Sequence, residues 1–239
     1  MSPAAQAVAT SALDDLALLR RSSSDWGWLE VRRPRATAAF SRRDTLRPGY
    51  RAASELAERH GFEPVVRPAG GQLAAYHRGA LALSVVGRHS APADGVAGRF
   101  AAFSRALVGG LRRLGVDARP GPVPGEYCPG THSVNAGGRT KVAGTAQRMT
   151  PGSFLLGAVV VVSEPEPIRS LLADAYPLLG HPFDPVSVGC VAEHVADVTT
   201  NDVEAVLLDC LREVLPLAPT AESTGDDARR VALTGCWSP

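Results

Sequence analysis

The sequence predicts an α+β fold, a mixed β-sheet with helices packed against it, rather than a strict parallel βαβ array. Two observations carry this expectation. Strand-like and helical segments alternate irregularly along the chain, and Gly137-Gly138 separates two short runs in the manner of a hairpin turn. Internal repeats and low-complexity blocks are absent. The chain therefore reads as a single domain over residues 1–239, with its core at about 10–215 and a loosely held tail at 216–239.

Residues 11–20 read as a short helix capped by Ser11, with Asp14 and Asp15 in its first turn. Trp28–Arg32 and Ala36–Phe40 read as strands around Pro34. Tyr50–His60 is a helix closed by Gly61, followed by a strand at Glu63–Arg67. After the Gly70-Gly71 turn, Leu81–Val86 is an apolar strand, and Val96–Leu114 is a long amphipathic helix ending at Gly115. Four prolines and three glycines make 119–130 a loop. His132–Ala136 and Arg139–Ala146 form the hairpin, and Phe154–Val162 reads as a buried strand. Pro165 and Pro167 open a helix to about Leu179. Asn201 with Glu204 three residues later resembles a capping box opening a helix to about Leu215, and the tail begins at Pro216.

Composition excludes several classes. The chain has 25 Lys+Arg against 24 Asp+Glu, a net charge of +1, without the basic excess of a nucleic-acid binder. No apolar run is long enough for a transmembrane helix, and Asp14 and Asp15 do not fit a signal peptide. Cys128, Cys190, Cys210 and Cys236 form no CxxC pair and read as reduced thiols in a cytoplasmic protein. None of the six histidines makes HxH or HExxH spacing, so no metal site is expected, and no Walker-type phosphate loop occurs. Of the basic residues only Lys141 is a lysine. Arginine replaces lysine cheaply wherever charge alone matters, but not where a slim ammonium with rotatable donors is needed. A lone lysine is thus a candidate for a site that arginine cannot fill.

Two segments stand out. One is Val65-Val66-Arg67-Pro68-Ala69-Gly70-Gly71-Gln72; the other runs Gly125-Glu126-Tyr127-Cys128-Pro129-Gly130 and on to Lys141-x-x-Gly144-x-x-Gln147-Arg148. In this order and spacing, over roughly residues 10–215, the chain resembles the lipoate-protein ligase and octanoyltransferase superfamily, whose catalytic domain is shared with biotin protein ligases. Within it, Tyr127-Cys128-Pro129-Gly130 ahead of the lysine is similar to the cysteine-dependent octanoyl amidotransferases. The resemblance implies a biotin/lipoate protein ligase-like catalytic domain that attaches octanoyl or lipoyl groups to lipoyl carrier proteins. Those carriers would be the glycine-cleavage H protein and the lipoyl domains of 2-oxoacid dehydrogenases. The transferase needs no cofactor; a ligase would use ATP and Mg²⁺. Leu156-Gly157 stands where other branches have His-Gly, and Gln72-Leu73 where ligases more often have a further glycine or arginine. Both departures point away from standard ligase activity. The chain also leaves no room after residue 215 for the small accessory domain of many ligases.

The residues themselves are consistent with acyl transfer. An amide is a poor acyl donor, and a cysteine splits transfer between two amines into two easier steps through a thioester. The nucleophile is a thiolate, and a free cysteine has a pKa of about 8.5, so a nearby cation helps. Cys128 and Lys141 are therefore the candidate catalytic pair. Lys141 would polarise the acyl carbonyl and hand a proton to the leaving amine, which a permanently charged arginine cannot do. Arg67, Gly70, Gly71, Gln72, His77, Gly144 and Thr145 are candidate substrate-binding residues. Cys190, Cys210 and Cys236 read as small hydrophobes. One geometric condition attaches to the pairing. With a two-residue turn, Lys141 faces Val134 and Cys128 would face Gln147, about 20 Å away along continuous strands. Pro129-Gly130 must therefore bend the chain back. The alternatives are an ATP-dependent lipoate ligase acting through lipoyl-AMP, a divergent member acylating a small amine, and a non-enzymatic domain that binds and regulates lipoyl carriers.

Overall fold

A computed structural model describes residues 24–225 and 227–239. The helix expected at 11–20 lies outside them. Eight strands form an all-antiparallel main sheet in the order β10-β11-β1-β5-β9-β8-β7-β6. They are β1 Gly27–Arg32, β5 Ala80–Arg88, β6 Ala118–Pro120, β7 Val134–Ala136, β8 Thr140–Thr150, β9 Ser153–Val161, β10 Glu222–Gly225 and β11 Ala228–Ala232. A second sheet joins β2 Thr37–Phe40, β3 Glu63–Val66 and β4 Ala74–Tyr76 in the order β3-β2-β4, with β2 and β3 parallel. The mixed α+β architecture is as expected.

Each sheet buries a different pair of helices. Helices α2 (Val96–Arg113) and α4 (Thr200–Arg212) cover one face of the main sheet, with Phe103, Leu107 and Leu111 on α2 meeting Val203, Leu207 and Leu211 on α4. The three- and four-residue spacing of these side chains makes one apolar stripe per helix. Helices α1 (Tyr50–Arg59) and α3 (Glu166–Leu178) pack on the small sheet through Ala53, Ala57, Ile168, Leu171 and Leu172. The opposite face of the main sheet then meets the small sheet, and the gap between them holds the site.

Several expectations need correction. The tail from Pro216 is not loosely held: β11 pairs with β1, and Val231, Leu233 and Trp237 are buried in the main core. Its Thr, Ser and Asp content masked a short alternating strand. Asn201 does not cap α4. The cap is Thr199, whose hydroxyl accepts from the Asp202 N–H while the Asp202 carboxylate accepts from the Thr199 N–H. Asn201 and Glu204 both accept from Arg33 instead. Strands β4 and β6 were not anticipated, being three residues each and poor in β-branched side chains.

The hairpin register also differs. Gly137 and Gly138 both adopt positive φ, but the turn includes Arg139, and Lys141 pairs with Asn135 rather than Val134. The ladder then slips, so that Val134 pairs with Ala143. A bulge of this kind breaks the alternation of faces. It turns Lys141 and Gly144, three residues apart, toward the same side: a Cβ on Gly144 would lie 3.2 Å from the lysine Cε. The K-x-x-G spacing has its physical meaning here.

Candidate active site

Between the sheets lies a cavity of about 150 Å³. One row of its floor runs straight across four strands, Gly144 on β8, Val159 on β9, Ala82 on β5 and Arg32 on β1, each paired in register with the next. The small sheet supplies the roof through Ala39, Ala74, Ala75 and Tyr76. Cys128 and Lys141 line the β8 end together with Arg67.

Cys128 is held in an unusual backbone conformation, with φ of 43°. This left-handed region costs a side-chain-bearing residue about 1–3 kcal/mol and persists only where the surroundings over-determine it. Every polar atom of Cys128 has a partner. Its N–H donates to the Tyr176 hydroxyl at 2.7 Å, and its carbonyl accepts from Lys141 Nζ at 2.9 Å. Its sulfur accepts from Arg67 Nη2 and from the Gln72 N–H, each at 3.3 Å. Arg67 is itself fixed by donating to the Gln72 carbonyl at 2.6 Å. Two donors, one of them cationic, thus converge on a half-buried sulfur, an arrangement that stabilises negative charge there.

Lys141 is 1% exposed, and its three ammonium protons have three acceptors. These are the Tyr127 carbonyl at 2.9 Å, the Cys128 carbonyl at 2.9 Å and Glu126 Oε1 at 3.1 Å. The ammonium also sits 4.5 Å above the Tyr127 ring. Burial lowers the lysine pKa, and the attraction of Glu126 does not fully offset it. Its proton is held less tightly than an exposed lysine's. Burial pushes the Tyr127 and Tyr176 phenols upward, and the Tyr176 hydroxyl donates to the Leu73 carbonyl.

The chain does bend back at Pro129-Gly130, bringing Lys141 Nζ onto the Cys128 carbonyl and satisfying the geometric condition on the pair. Arg67 and Gly71 join them; a Cβ on Gly71 would fall 2.6 Å from the Cys128 sulfur. Gln72 takes part through its backbone alone. Gly144 and Thr145 line the cavity. Two expected residues are not brought in. Gly70 is exposed with open space where a Cβ would stand, and His77 is turned into its own loop, bonded to the Gly79 N–H and the Glu164 carbonyl.

Sequence reasoning missed Glu126 and Tyr176. Glu126 is buried beneath the loop, where it accepts from Lys141, Ser133 Oγ and the Val123 N–H. It is the only acid in the Pro/Gly-rich stretch, a signal that was available. Tyr176 comes from α3, 48 residues beyond Cys128, and no local pattern marks it.

Two predictions arise here. Gly71→Ala adds a methyl at a position with φ of +102°, within 2.8 Å of Arg67 Nη2 as well as close to the sulfur. Alkylation of Cys128 by a neutral iodoacetamide is expected to change rate by about tenfold or more, the fold being retained. Tyr176→Phe strips the partner from both the Cys128 N–H and the Leu73 carbonyl. Leaving such groups unsatisfied costs about 1–3 kcal/mol, and thermal denaturation should show Tm lower by several degrees.

The fold and this site define a catalytic domain of the lipoate ligase type. The family model of the lipoyl protein ligase A/B catalytic domain matches residues 48–212, and the chain belongs to that family. Among curated relatives it is 25% identical over 144 residues to the octanoyl-GcvH:protein N-octanoyltransferase of Geobacillus kaustophilus, and 30% identical over 142 residues to the protein of that name from Exiguobacterium sibiricum. These matches cover 60% and 59% of this chain, which spans about half the length of either relative, 50% and 51%. Among solved structures, a lipoate-protein ligase A bound with ATP superposes with a TM-score of 0.64 at 21% identity, over 83% of this chain and 77% of that one. The bi-partite lipoate protein ligase of Thermoplasma acidophilum gives 0.61 at 21% identity, over 83% and 75%. These likenesses establish the fold. Among the described residues, no helix is long and apolar enough to cross a membrane, and no group of three or more His, Cys, Asp or Glu could hold a metal ion.

Proposed function

We propose that the protein is an acyltransferase that carries an octanoyl or lipoyl group as a thioester on Cys128 and delivers it to a lysine of a lipoyl carrier protein. The observation that carries this reading is the Cys128 sulfur, aimed at by Arg67 and the Gln72 N–H beside a cavity whose floor is apolar at its middle. In the first step the thiolate attacks the donor amide carbonyl, a C–S bond forms, the C–N bond breaks, and the departing lysine amine takes a proton. In the second, the acceptor lysine amine attacks the thioester, a C–N bond forms as the C–S bond breaks, and the sulfur leaves as thiolate. The amine's surplus proton returns to the group that gave one up in the first step. Lys141 holds the Cys128 carbonyl in place and is the group assigned to give that proton and take it back. To polarise an acyl carbonyl it must exchange one of its three protein acceptors for the substrate. The names of the two curated relatives support an octanoyl donor on the glycine-cleavage H protein and a protein acceptor; the acceptors proposed are lipoyl domains of 2-oxoacid dehydrogenases.

ATP and Mg²⁺ would be needed only by a ligase. A triphosphate calls for unengaged cationic donors. Here Arg67 and Lys141 are both bonded within the Cys128 loop, and alanine is the commonest residue lining the cavity between them and Arg32. The residues fit an acyl chain, and no cofactor is assigned to the transfer.

Incubation with octanoylated H protein, followed by intact mass spectrometry, is expected to reveal a hydroxylamine-labile octanoyl adduct on Cys128. Product formed only from free lipoate with ATP and Mg²⁺ would replace this reading by the ligase. Turnover on a small amine alone would select the divergent acylase, and saturable carrier binding without turnover the regulatory domain.

A further inference from the structure

The cavity is polar at both of its ends. Beside the row from Gly144 to Arg32 runs a second, Ala146, Gly157, Ser84 and Glu30, again paired strand by strand. Three interstrand steps separate β8 from β1, about 14 Å. The middle of this floor is Val159, Ala82 and Gly157, apolar and small, as an acyl chain requires. Beyond it the character changes. Arg32, Ser84 and Tyr76 all line the cavity there. Neither the Ser84 nor the Tyr76 hydroxyl has a hydrogen-bond partner among the described residues, although Ser84 is 5% exposed. Neither hydroxyl is sealed from solvent, so both are open to the cavity and to whatever fills it. The Tyr76 phenol is pushed upward by burial and drawn back by the Arg32 and Arg67 guanidinium groups, which places it in the field of both ends of the cavity. Glu30, the one acid nearby, is neutralised: Arg32 donates to Oε1 at 2.7 Å and Arg230 to Oε2 at 2.5 Å. It offers little repulsion to an incoming oxygen.

A purely hydrocarbon tail would displace the water that reaches these two hydroxyls and leave both without a partner. We propose that the acyl group this cavity selects carries an oxygen function at its far end, a hydroxyl or a carboxylate, bound by Tyr76, Ser84 and Arg32. The inference rests on the acyl-transfer reading and departs from it in one respect, the group carried on Cys128 ending in oxygen where octanoyl ends in a methyl. Its geometry does not depend on the thioester.

The test separates the two. Binding of octanoate, 8-hydroxyoctanoate and suberate to the native protein and to Tyr76→Phe/Ser84→Ala is measured by calorimetry. Loading of native Cys128 from the matching N-acetylcysteamine thioesters is followed by intact mass; there the thiolate displaces the carrier thiol and no other reagent is consumed. The native protein is expected to bind at least one of the oxygen-terminated acids about tenfold or more tighter than octanoate, and the double variant to bring that ratio close to one. Hydroxy against dicarboxylic acid identifies which terminus is read. Equal or weaker binding of both oxygenated acids, or a preference that survives the double substitution, overturns the inference. Preference in binding with no adduct on Cys128 leaves it standing and removes the thioester instead.

Discussion

Cys128→Ser is expected to abolish acyl transfer, by at least about 10³-fold, because it removes the nucleophile while leaving its surroundings intact. The argument rests on what surrounds the sulfur. Both groups within hydrogen-bonding reach of it, Arg67 Nη2 and the Gln72 N–H, are donors. Neither can take a proton from a hydroxyl. A thiol is a far stronger acid than an alcohol, so a serine hydroxyl in the same cradle, with no base beside it, is a poor nucleophile. The backbone partners Tyr176 and Lys141 are unaffected by the exchange, so Tm should change little. The measurement pairs octanoyl transfer to a lipoyl domain with intact mass. Transfer by Cys128→Ser at the native rate would sink the thioester route. If Cys128→Ala ligates free lipoate with ATP as well as the native protein does, the cysteine is structural and the ligase reading takes over.

Much of the fold was legible because the long elements carry strong periodicity. The α2 stripe, the valine-rich β9 and the Gly-Gly turn each specify themselves locally. The site was legible in part for a different reason: composition makes a lone lysine and a cysteine in a Pro/Gly loop conspicuous, while Gly144 stands out only through the family resemblance. What could not be read is the relation between elements. The bulge that sets Lys141 and Gly144 on one face depends on the register with β7. The positive φ of Cys128 depends on Tyr176 arriving from α3, and Gln72 acts through backbone atoms that any residue but proline would supply in full. The tail misled for a compositional reason, since polar residues on its exposed positions outnumber Val231, Leu233 and Trp237 on the buried ones. His77 failed because proximity in sequence to Arg67 says nothing about which way a loop side chain turns.

Lys141→Arg keeps the charge, yet we expect it to lower transfer by about 100-fold or more. The lysine ammonium fits a socket closed on every side: Glu126 below, the Tyr127 and Cys128 carbonyls at its other protons, the Tyr127 ring 4.5 Å away and Gly144 against its stem. A guanidinium is planar and larger, and overpacking a buried site of this kind costs about 1–3 kcal/mol. Its fixed fork cannot reach three acceptors arranged around a tetrahedral ammonium. The crowding is relieved by displacing the Glu126–Cys128 loop, which no strand holds, and the sulfur moves with it. A shift of about 1 Å at a nucleophile is enough for a 100-fold loss. Proton transfer is lost as well, because arginine keeps its proton throughout. The two causes separate experimentally. If position alone matters, loading of Cys128 from an activated octanoyl thioester falls together with transfer from the amide donor. If the proton matters, the thioester, whose leaving group needs none, loads far better than the amide. Native transfer rates from the amide donor in Lys141→Arg would exclude both roles and reduce the single lysine to a feature of composition.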